Sequence, residues 1–271
     1  MPQGKEHWSA GDLYEPYVGR WSRKVALEFL AWLQMPPHSQ WLDVGCGTGA
    51  LTQAILRTAQ PASVLGVDSS PGFVDYAQAC TPEPQARYEV GDAQALALDA
   101  HSVDVAVSGL MVNFVPQPER ALAEMARVVR PGGWVAIYVW DYAEGMELMR
   151  YFWDAAVALD PQALDSAEGR RFAMCRPEPL AALFEQAGLV HVDVRALEVP
   201  TTFRDFDDYW SPFLGGQGPA PGYAMSLPEA ERARLRERIR AALPQGPEGR
   251  IELHARAWGV RGRSGSGAAV T

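Results

Sequence analysis

Three alternating glycines constrain this chain more than any other feature of its sequence. Gly45, Gly47 and Gly49 follow an apolar run, Trp41 to Val44, that predicts a strand, and they precede a helical pattern from Ala50 to Thr58. Glycine lets the backbone turn sharply and lets a ligand approach it closely, because no Cβ intervenes. The N-terminus of the following helix presents free N–H groups. The pattern therefore predicts a ligand-binding turn between a strand and a helix.

Predicted strands and helices alternate on both sides of this turn. The other predicted strands are 63–67, 87–90, 103–108, 134–140, 190–199 and 251–260. Strands separated by helices at this spacing are typical of βαβ units and a parallel sheet. We therefore expect an α/β fold.

Composition narrows the class of ligand. The 271 residues carry a formal net charge of −9, whereas a nucleic-acid binder usually shows a basic footprint. No apolar run approaches the ~20 residues that cross a bilayer, and no secretory signal is visible. The three scattered cysteines favour a cytoplasmic location and give no support for a metal site. We expect no nucleic-acid partner and no membrane insertion.

Three carboxylates near strand ends refine the prediction. The segment Gly45–Ala50 also matches a dinucleotide fingerprint, which is weak evidence alone. Asp43, however, precedes the first glycine, where a carboxylate suits an amino-bearing ligand and repels a pyrophosphate. Asp68 ends the next strand and can bind ribose hydroxyls in either kind of site, and Asp92 follows the third strand, where it can bind an adenine amino group. The alternative for Asp68 and Asp92 is loop capping.

With these residues assembled, the chain resembles the class I S-adenosylmethionine-dependent methyltransferases. It is most similar to the small-molecule type that includes the ubiquinone/menaquinone-biosynthesis methyltransferases. The similarity covers roughly residues 38–140 and is carried, in family order, by DVGCGTG, VDSS, GDAQALAL and VDVAVSGLMVNFVPQPERALAEMARVVRPGG. It implies a Rossmann-like, seven-stranded, mostly parallel sheet with the last strand antiparallel, and helices on both faces.

The resemblance also implies S-adenosylmethionine as the cofactor and assigns its contacts. The methionine part would bind near Asp43 and the glycines, the ribose at Asp68, the adenine at Asp92, and the sulfonium along Ser108. The residues expected to bind the cofactor in this core are Asp43, Gly45, Cys46, Gly47, Gly49, Asp68, Ser69, Asp92, Ala93, Ser108 and Gly109.

An aromatic segment before the first helix could cover the cofactor. In similar enzymes such a segment supplies an Arg or Tyr to the methionine carboxylate, which makes Arg20 and Tyr14 the candidates here. A guanidinium suits that role because it can form two parallel hydrogen bonds to a carboxylate. The alternative is that Tyr14, Tyr17 and Trp21 only pack against the first helix.

The acceptor side is less constrained. No general base is evident, since the five histidines are isolated, and Asp141 after the fifth strand is the candidate for a base or substrate contact. Aromatic residues in two insertions predict a hydrophobic or aromatic small substrate beneath a lid, although such residues are more often core. The predicted substrate contacts are Asn113, Phe114, Trp140, Tyr142, Tyr209 and Trp210. The segment Asn113–Pro116 lacks the paired prolines of amino methyltransferases of DNA.

We therefore predict a single methyltransferase domain over residues 1–260. It comprises a cofactor-covering segment and helix (1–37), a cofactor-binding core (38–140), lid insertions (141–176 and 200–248) and a disordered tail (261–271). The predicted reaction is in-line methyl transfer from S-adenosylmethionine to O, N or C of a small molecule. The alternatives are an NAD(P)-dependent oxidoreductase, which lacks a Tyr-x-x-x-Lys pair here, and a catalytically silent S-adenosylmethionine-binding protein.

Overall fold

The computed structural model describes residues 19–215 and 218–265. Tyr14, Tyr17 and the last part of the predicted tail, 266–271, lie outside the described residues. The described chain forms two compact units. The core unit holds residues 22–139, 174–197 and 257–265, and the insertion unit holds residues 19–21, 140–173 and 198–256 except for positions 216 and 217.

Seven strands form one sheet in the order β3-β2-β1-β4-β5-β7-β6. The first five strands pair in parallel, and the last strand is antiparallel. The predicted Rossmann-like fold is therefore confirmed. The strands are β1 (Gln40–Val44), β2 (Ser63–Asp68), β3 (Ala86–Val90), β4 (Val103–Gly109), β5 (Val129–Trp140), β6 (Leu189–Phe203) and β7 (Ile251–Ser264).

The described residues also form helices. They are α1 (Arg20–Leu33), α2 (Ala50–Thr58), α3 (Pro71–Cys80), α4 (Pro118–Val128), α5 (Glu147–Leu159), α6 (Glu168–Arg171), α7 (Pro177–Gln186), α8 (Phe206–Trp210), α9 (Pro219–Ser226) and α10 (Glu229–Ala242). The helix α3 begins as its sequence predicts, with Ser70 accepting a hydrogen bond from the Phe73 N–H and Pro71 in the first turn. Among the described residues, no helix is long and apolar enough to span a membrane.

Each unit has its own apolar interior. In the core unit, the side chains of Val25 and Phe29 in α1 are fully buried, and the Phe29 ring lies 4.7 Å from that of Tyr138 in β5. In the insertion unit, Phe152 stacks on Phe213 with 4.6 Å between ring centroids. Large buried rings of this kind stabilise each unit by roughly 1.5–3 kcal/mol apiece.

Some predicted boundaries were wrong. The strand predicted over 134–140 begins earlier, at Val129, since β5 accommodates the Pro-Gly-Gly segment through an irregular pairing with β4, and α4 ends at Val128. The tail expected to be disordered from residue 261 continues as strand to Ser264. Arg261 explains this extension: its guanidinium donates to the Trp32 carbonyl and to Asp193 and lies 4.6 Å from the Trp32 ring.

Candidate functional site

The three glycines form the predicted turn at the carboxyl end of β1. Gly45, Gly47 and Gly49 have φ of 73°, 52° and 84°, the left-handed region in which a side chain is strained. A Cβ at Gly45 would lie 2.3 Å from Cγ of Met111, so only glycine fits there. A Cβ at Gly47 would meet no atom of the described residues within 4 Å, so these residues leave open space beside the turn.

Asp68 fastens this turn to the end of β2. Its Oδ2 accepts a hydrogen bond of 3.0 Å from the Gly47 N–H, and its Oδ1 accepts one of 2.9 Å from the Ser70 N–H. The Val67 carbonyl also accepts from the N–H groups of Gly45 and Cys46, at 2.7 and 3.1 Å. Burial raises the pKa of Asp68, although the two backbone hydrogen bonds oppose the rise. The carboxylate therefore both shapes the turn and stands at its edge.

Asp43 lies beneath the turn and is completely buried. Its Oδ2 accepts a hydrogen bond of 2.7 Å from the Thr52 hydroxyl, while its Oδ1 has no hydrogen-bond partner among the described residues. Burial raises the pKa of Asp43 from 3.8 to about 7, and the charge of Asp68 adds to the rise. A buried carboxylate oxygen without a donor is unfavourable, so this atom can accept from a ligand.

A buried polar network holds Asp43 in place. The Tyr88 hydroxyl donates to the Thr81 hydroxyl at 3.0 Å and also interacts with Thr52, the donor to Asp43. Gln53 donates to the same Thr81 hydroxyl at 3.3 Å. Sequence analysis missed this network, although Thr52 lies nine residues after Asp43 on the first turn of α2, where helical periodicity could have identified it.

The adenine-binding candidates follow β3. Asp92 is exposed, and its Oδ1 accepts hydrogen bonds from the backbone and side-chain N–H groups of Gln94, which lower its pKa. Ala93 is half-buried beside it, and Ser69, at the end of β2, is exposed. Asp92 is therefore charged and accessible, but it is also a local turn cap, as the alternative interpretation expected.

Two polar side chains near the end of β4 are buried without partners. Within the described chain, the hydroxyl of Ser108 and both amide atoms of Asn113 have no hydrogen-bond partner. Ser108 is fully buried, and Asn113 is 8% exposed. The next residue in β4, Gly109, leaves room for the Tyr138 hydroxyl, which would lie 2.5 Å from a Cβ there. Phe114 is exposed.

The insertion unit contains the remaining candidates, and most are built into its interior. Asp141 is 2% exposed, and its Oδ2 accepts from Nε and Nη2 of Arg256 at 2.8 and 2.6 Å. Its Oδ1 accepts from the N–H groups of Ala143 and Glu144, both at 3.2 Å. Both oxygens of the Asp141 carboxylate therefore already accept hydrogen bonds, so the geometry does not support a role for Asp141 as a general base.

The aromatic candidates differ in accessibility. Trp140, Tyr209 and Trp210 are buried, and the Tyr209 hydroxyl donates to the Leu148 carbonyl at 2.7 Å. Tyr142 is half-buried with its ring 5.1 Å from that of Phe172. Their assignment as substrate contacts stays a prediction, and the burial of Tyr209 and Trp210 favours the alternative that they are core.

Comparison with known proteins identifies the family. Residues 42–137 match a family model described as a methyltransferase domain. The 2-methyl-6-phytyl-1,4-hydroquinone methyltransferase of Synechocystis is 32% identical over 187 residues, which are 68% of this chain and 57% of that protein. The malonyl-[acyl-carrier protein] O-methyltransferase of Methylococcus capsulatus is 32% identical over 51% of each chain. The chain thus spans about half the length of these curated relatives.

Solved structures confirm the fold. The YcgJ protein of Bacillus subtilis superposes with a TM-score of 0.59 at 17% identity, covering 89% of this chain and 99% of that one. Together these findings confirm the predicted resemblance to the class I S-adenosylmethionine-dependent methyltransferases, whose methyltransferase domain this chain carries over residues 42–137. S-adenosylmethionine is the cofactor of this class.

Proposed function

We propose that this chain transfers a methyl group from S-adenosylmethionine to a small-molecule acceptor. The observation that carries the proposal is Oδ1 of Asp43, a buried carboxylate oxygen beneath the glycine turn that has no hydrogen-bond partner among the described residues; these residues also leave open space beside Gly47. An ammonium group would satisfy that oxygen, and S-adenosylmethionine carries one on its methionine part. When bound, the cofactor supplies a methyl group already activated by its sulfonium.

The core unit offers a contact for each part of such a ligand. Asp43 would hold the ammonium, and Asp68 retains acceptor sites for ribose hydroxyls beyond its two backbone hydrogen bonds. Asp92 and Ala93 would meet the adenine, and the buried hydroxyl of Ser108 is a free polar group at the end of β4.

The chain's contribution to the reaction would be orientation and exclusion of water. Asn113 is our candidate contact to the acceptor in the core unit, because both atoms of its buried amide are unpartnered in the described chain. A small-molecule acceptor is proposed from the name of one relative, the 2-methyl-6-phytyl-1,4-hydroquinone methyltransferase. The substrate roles predicted for Phe114, Trp140, Tyr142, Tyr209 and Trp210, and the cytoplasmic location, remain predictions.

The family match does not support the two alternatives, an NAD(P)-dependent oxidoreductase and a silent binding protein. A dinucleotide would in addition bring a pyrophosphate towards the charged form of Asp43. Calorimetric titration with S-adenosylhomocysteine and, separately, with NADH tests the cofactor. We expect micromolar binding of S-adenosylhomocysteine only, weakened at least tenfold in Asp68→Ala. The matched control is Asp75→Ala, an exposed carboxylate on α3, which should bind normally.

Turnover then separates an enzyme from a silent binding protein. We expect the protein to methylate at least one member of a panel of phenols, hydroquinones, carboxylic acids and amines when given S-adenosylmethionine. Binding of NADH in place of S-adenosylhomocysteine would overturn the proposed function. If the chain binds S-adenosylhomocysteine but transfers no methyl group to any acceptor, it is a catalytically silent S-adenosylmethionine-binding protein, and the proposed reaction is wrong.

A further inference from the structure

A cavity of about 410 Å³ opens on the core unit, between the end of α1 and β6, the edge strand of the sheet. Its polar lining residues are Gln34, Asp193, Arg195 and Arg261, and Trp32 lies beside them. All five residues belong to the core unit. A volume of this size is typical of sites for small molecules.

The cavity lies at the edge of the sheet opposite to the glycine turn. That turn follows the carboxyl end of β1, whereas β7 runs antiparallel to the strands before it. Near the end of β7, Nε of Arg263 donates to the Gly132 carbonyl, close to the start of β5, at 3.2 Å. Arg261, two residues earlier, is therefore near the amino ends of the parallel strands. We call this the amino-edge cavity, and the proposed methyl transfer does not use it.

Arg261 forms a rigid side of the amino-edge cavity. Its Nη1 donates to the Trp32 carbonyl at 3.2 Å, and its Nη2 donates to Oδ2 of Asp193 at 3.0 Å. Its Cζ lies 4.6 Å from the ring centroid of Trp32 and 5.4 Å from that of Trp134. Its Nε is buried and has no acceptor among the described residues, which is unfavourable for a charged donor. This side of the cavity is thus fixed in place but not fully hydrogen-bonded.

Arg195 adds a positive charge that no described residue balances. It lies two residues after Asp193 on β6, so both side chains stand on one face of the strand, and both line the cavity. The guanidinium of Arg195 is exposed and forms no hydrogen bond or ion pair with the part of the chain that the structure describes. Asp193 is already paired with Arg261. The cavity therefore has a net positive charge, and a free guanidinium edge suits a carboxylate.

Gln34 lines the cavity in a backbone conformation that glycine usually adopts. It follows the last residue of α1 with a φ of 49°, where a side chain is unfavourable. Its side-chain amide is without a hydrogen-bond partner within the described residues. Strain of this kind beside a cavity indicates that the side chain has a function there.

We propose that the amino-edge cavity binds a small α-hydroxy or α-amino acid. Arg195 would donate two parallel hydrogen bonds to the carboxylate, and the Gln34 amide would donate a further one. Oδ1 of Asp193, which accepts no hydrogen bond from a described residue, would accept from the neighbouring hydroxyl or ammonium group. A phosphate dianion fits less well, because it usually meets several free cations or backbone N–H groups. This site does not rest on the proposed function.

The experiment follows the ¹H–¹⁵N signals of the Gln34 side-chain amide and of the backbone N–H groups of residues 193–195 by NMR. The first four probes share one carbon skeleton. Lactate and alanine carry a carboxylate and a donor beside it, propionate lacks the donor, and lactamide lacks the carboxylate. Mandelate and phenylalanine repeat the first pair with a larger substituent, so the panel also tests the size of the cavity.

We expect at least one of the hydroxy or amino acids to shift these signals saturably, with a dissociation constant of about 1–10 mM, which is usual for ligands of so few atoms. Propionate should bind about threefold more weakly and lactamide about tenfold more weakly. S-adenosylhomocysteine should not displace the acid, because the cavity is at the opposite edge of the sheet. Displacement, equal binding of all probes, or no saturable shift with any of the acids would overturn the proposal.

Variants assign the binding to the cavity. Arg195→Gln should weaken acid binding about tenfold and Arg195→Lys about threefold to tenfold, since lysine lacks the two-donor edge. The matched control is Arg87→Gln, because Arg87 is an exposed arginine on β3, the other edge strand, and has no ion pair with a described residue. Equal losses in Arg195→Gln and Arg87→Gln would mean that the acids bind any exposed arginine, and the proposal would be wrong.

Gln34→Gly separates a binding role from a structural one. Glycine adopts the positive φ without strain, so we expect the melting temperature to rise. Acid binding should nevertheless weaken about threefold, because the amide donor is lost. A lower melting temperature with unchanged acid binding would overturn the role given to Gln34.

Discussion

Glu168 caps the N-terminus of a helix to which it does not belong, because its Oε1 accepts a hydrogen bond of 3.2 Å from the Ala220 N–H at the start of α9. Its Oε2 accepts a second hydrogen bond from Nε1 of Trp153 in α5. The helix α9 follows Gly218, which has no side chain to cap it. One buried carboxylate therefore connects α5, α6 and α9 within the insertion unit.

This cap makes stability depend on pH. Burial raises the pKa of Glu168 from 4.5 to about 7, although hydrogen bonds from its own backbone N–H, from Trp153 and from Ala220 favour the charged form. Because the folded-state pKa lies above the unfolded-state value, its contribution to the free energy of unfolding is complete below pH 4.5 and is lost as the pH rises to about 7. Urea unfolding of Glu168→Gln should lack this dependence, which amounts to about 3 kcal/mol. The exposed-residue control Glu178→Gln should retain it, and an unchanged slope in Glu168→Gln would contradict the assignment.

Asp43 should give cofactor binding its own pH dependence. In the free protein its pKa is about 7, and an ammonium ligand requires the ionised form. The affinity for S-adenosylhomocysteine should therefore rise by up to about tenfold per pH unit from pH 5.5 to 7 and level off above it. Asp43→Asn should bind weakly and without this dependence. Calorimetry checks both, with 5′-methylthioadenosine as the control ligand that lacks the ammonium; a pH-dependent affinity for that ligand would argue against Asp43 as the cause.

Thr52→Val removes the hydrogen bond from the Thr52 hydroxyl to Asp43 while keeping the side-chain volume. We expect the free energy of unfolding to fall by about 1–3 kcal/mol, since the buried Asp43 loses its side-chain donor. In the native chain, the hydrogen bond from Thr52 lowers the Asp43 pKa, so its loss should raise that pKa. The pH profile of S-adenosylhomocysteine binding should therefore move to higher pH. Thr58→Val is the control on the same helix, as its hydroxyl donates only to the Ala54 carbonyl. Equal effects of the two changes would show that Thr52 has no special link to Asp43.

The glycine turn and its three carboxylates could be predicted because each is defined by residues that are close together in the sequence. A strand, a turn and a helix N-terminus succeed one another within twelve residues, and parallel strands bring their carboxyl ends to one edge. The network of Thr52, Tyr88 and Thr81 could not be predicted in the same way, since its members come from separate elements that only the folded sheet brings together. The same is true of the ion pair between Arg20 and Asp208, which lie 188 positions apart in the sequence. The assignment of Arg20 to the methionine carboxylate stays a prediction.

Asp141 was assigned as a base or substrate contact by its place at a strand end, and that assignment stays a prediction. Its pairing with Arg256 indicates a structural role. Asp141→Asn should lower the free energy of unfolding by about 1–3 kcal/mol, because it weakens the charge-assisted hydrogen bonds from the half-buried Arg256. Turnover per folded molecule should stay within a few fold of native, as it should for the exposed control Asp154→Asn. A loss of 100-fold in turnover at native stability would restore Asp141 as a base.

Gly45 and Gly47 should respond differently to alanine although both have positive φ. Gly45→Ala adds a clash with Met111 to the backbone strain and should lower the free energy of unfolding by about 2–4 kcal/mol. The added methyl group of Gly47→Ala meets no atom of the described residues, so the free energy of unfolding should fall by only about 1 kcal/mol. The methyl group occupies the open space, however, and should weaken the binding of S-adenosylhomocysteine. Chemical unfolding and calorimetry separate the two effects. Adding Met111→Ala should recover part of the Gly45→Ala loss, and no recovery would mean that strain alone acts.

Of the three cysteines, only Cys80 has a thiol that a reagent in solution can reach, because Cys46 and Cys175 are buried. Cys46 is buried inside the glycine turn, and its burial and the nearby charges of Asp43 and Asp68 raise its thiol pKa. Cys175 is buried as well, and Cys80 is exposed at the end of α3, next to Thr81. A maleimide dye should therefore attach to the native chain at one position without any cysteine being removed. That dye would sit beside the polar network and could report ligand binding by its fluorescence.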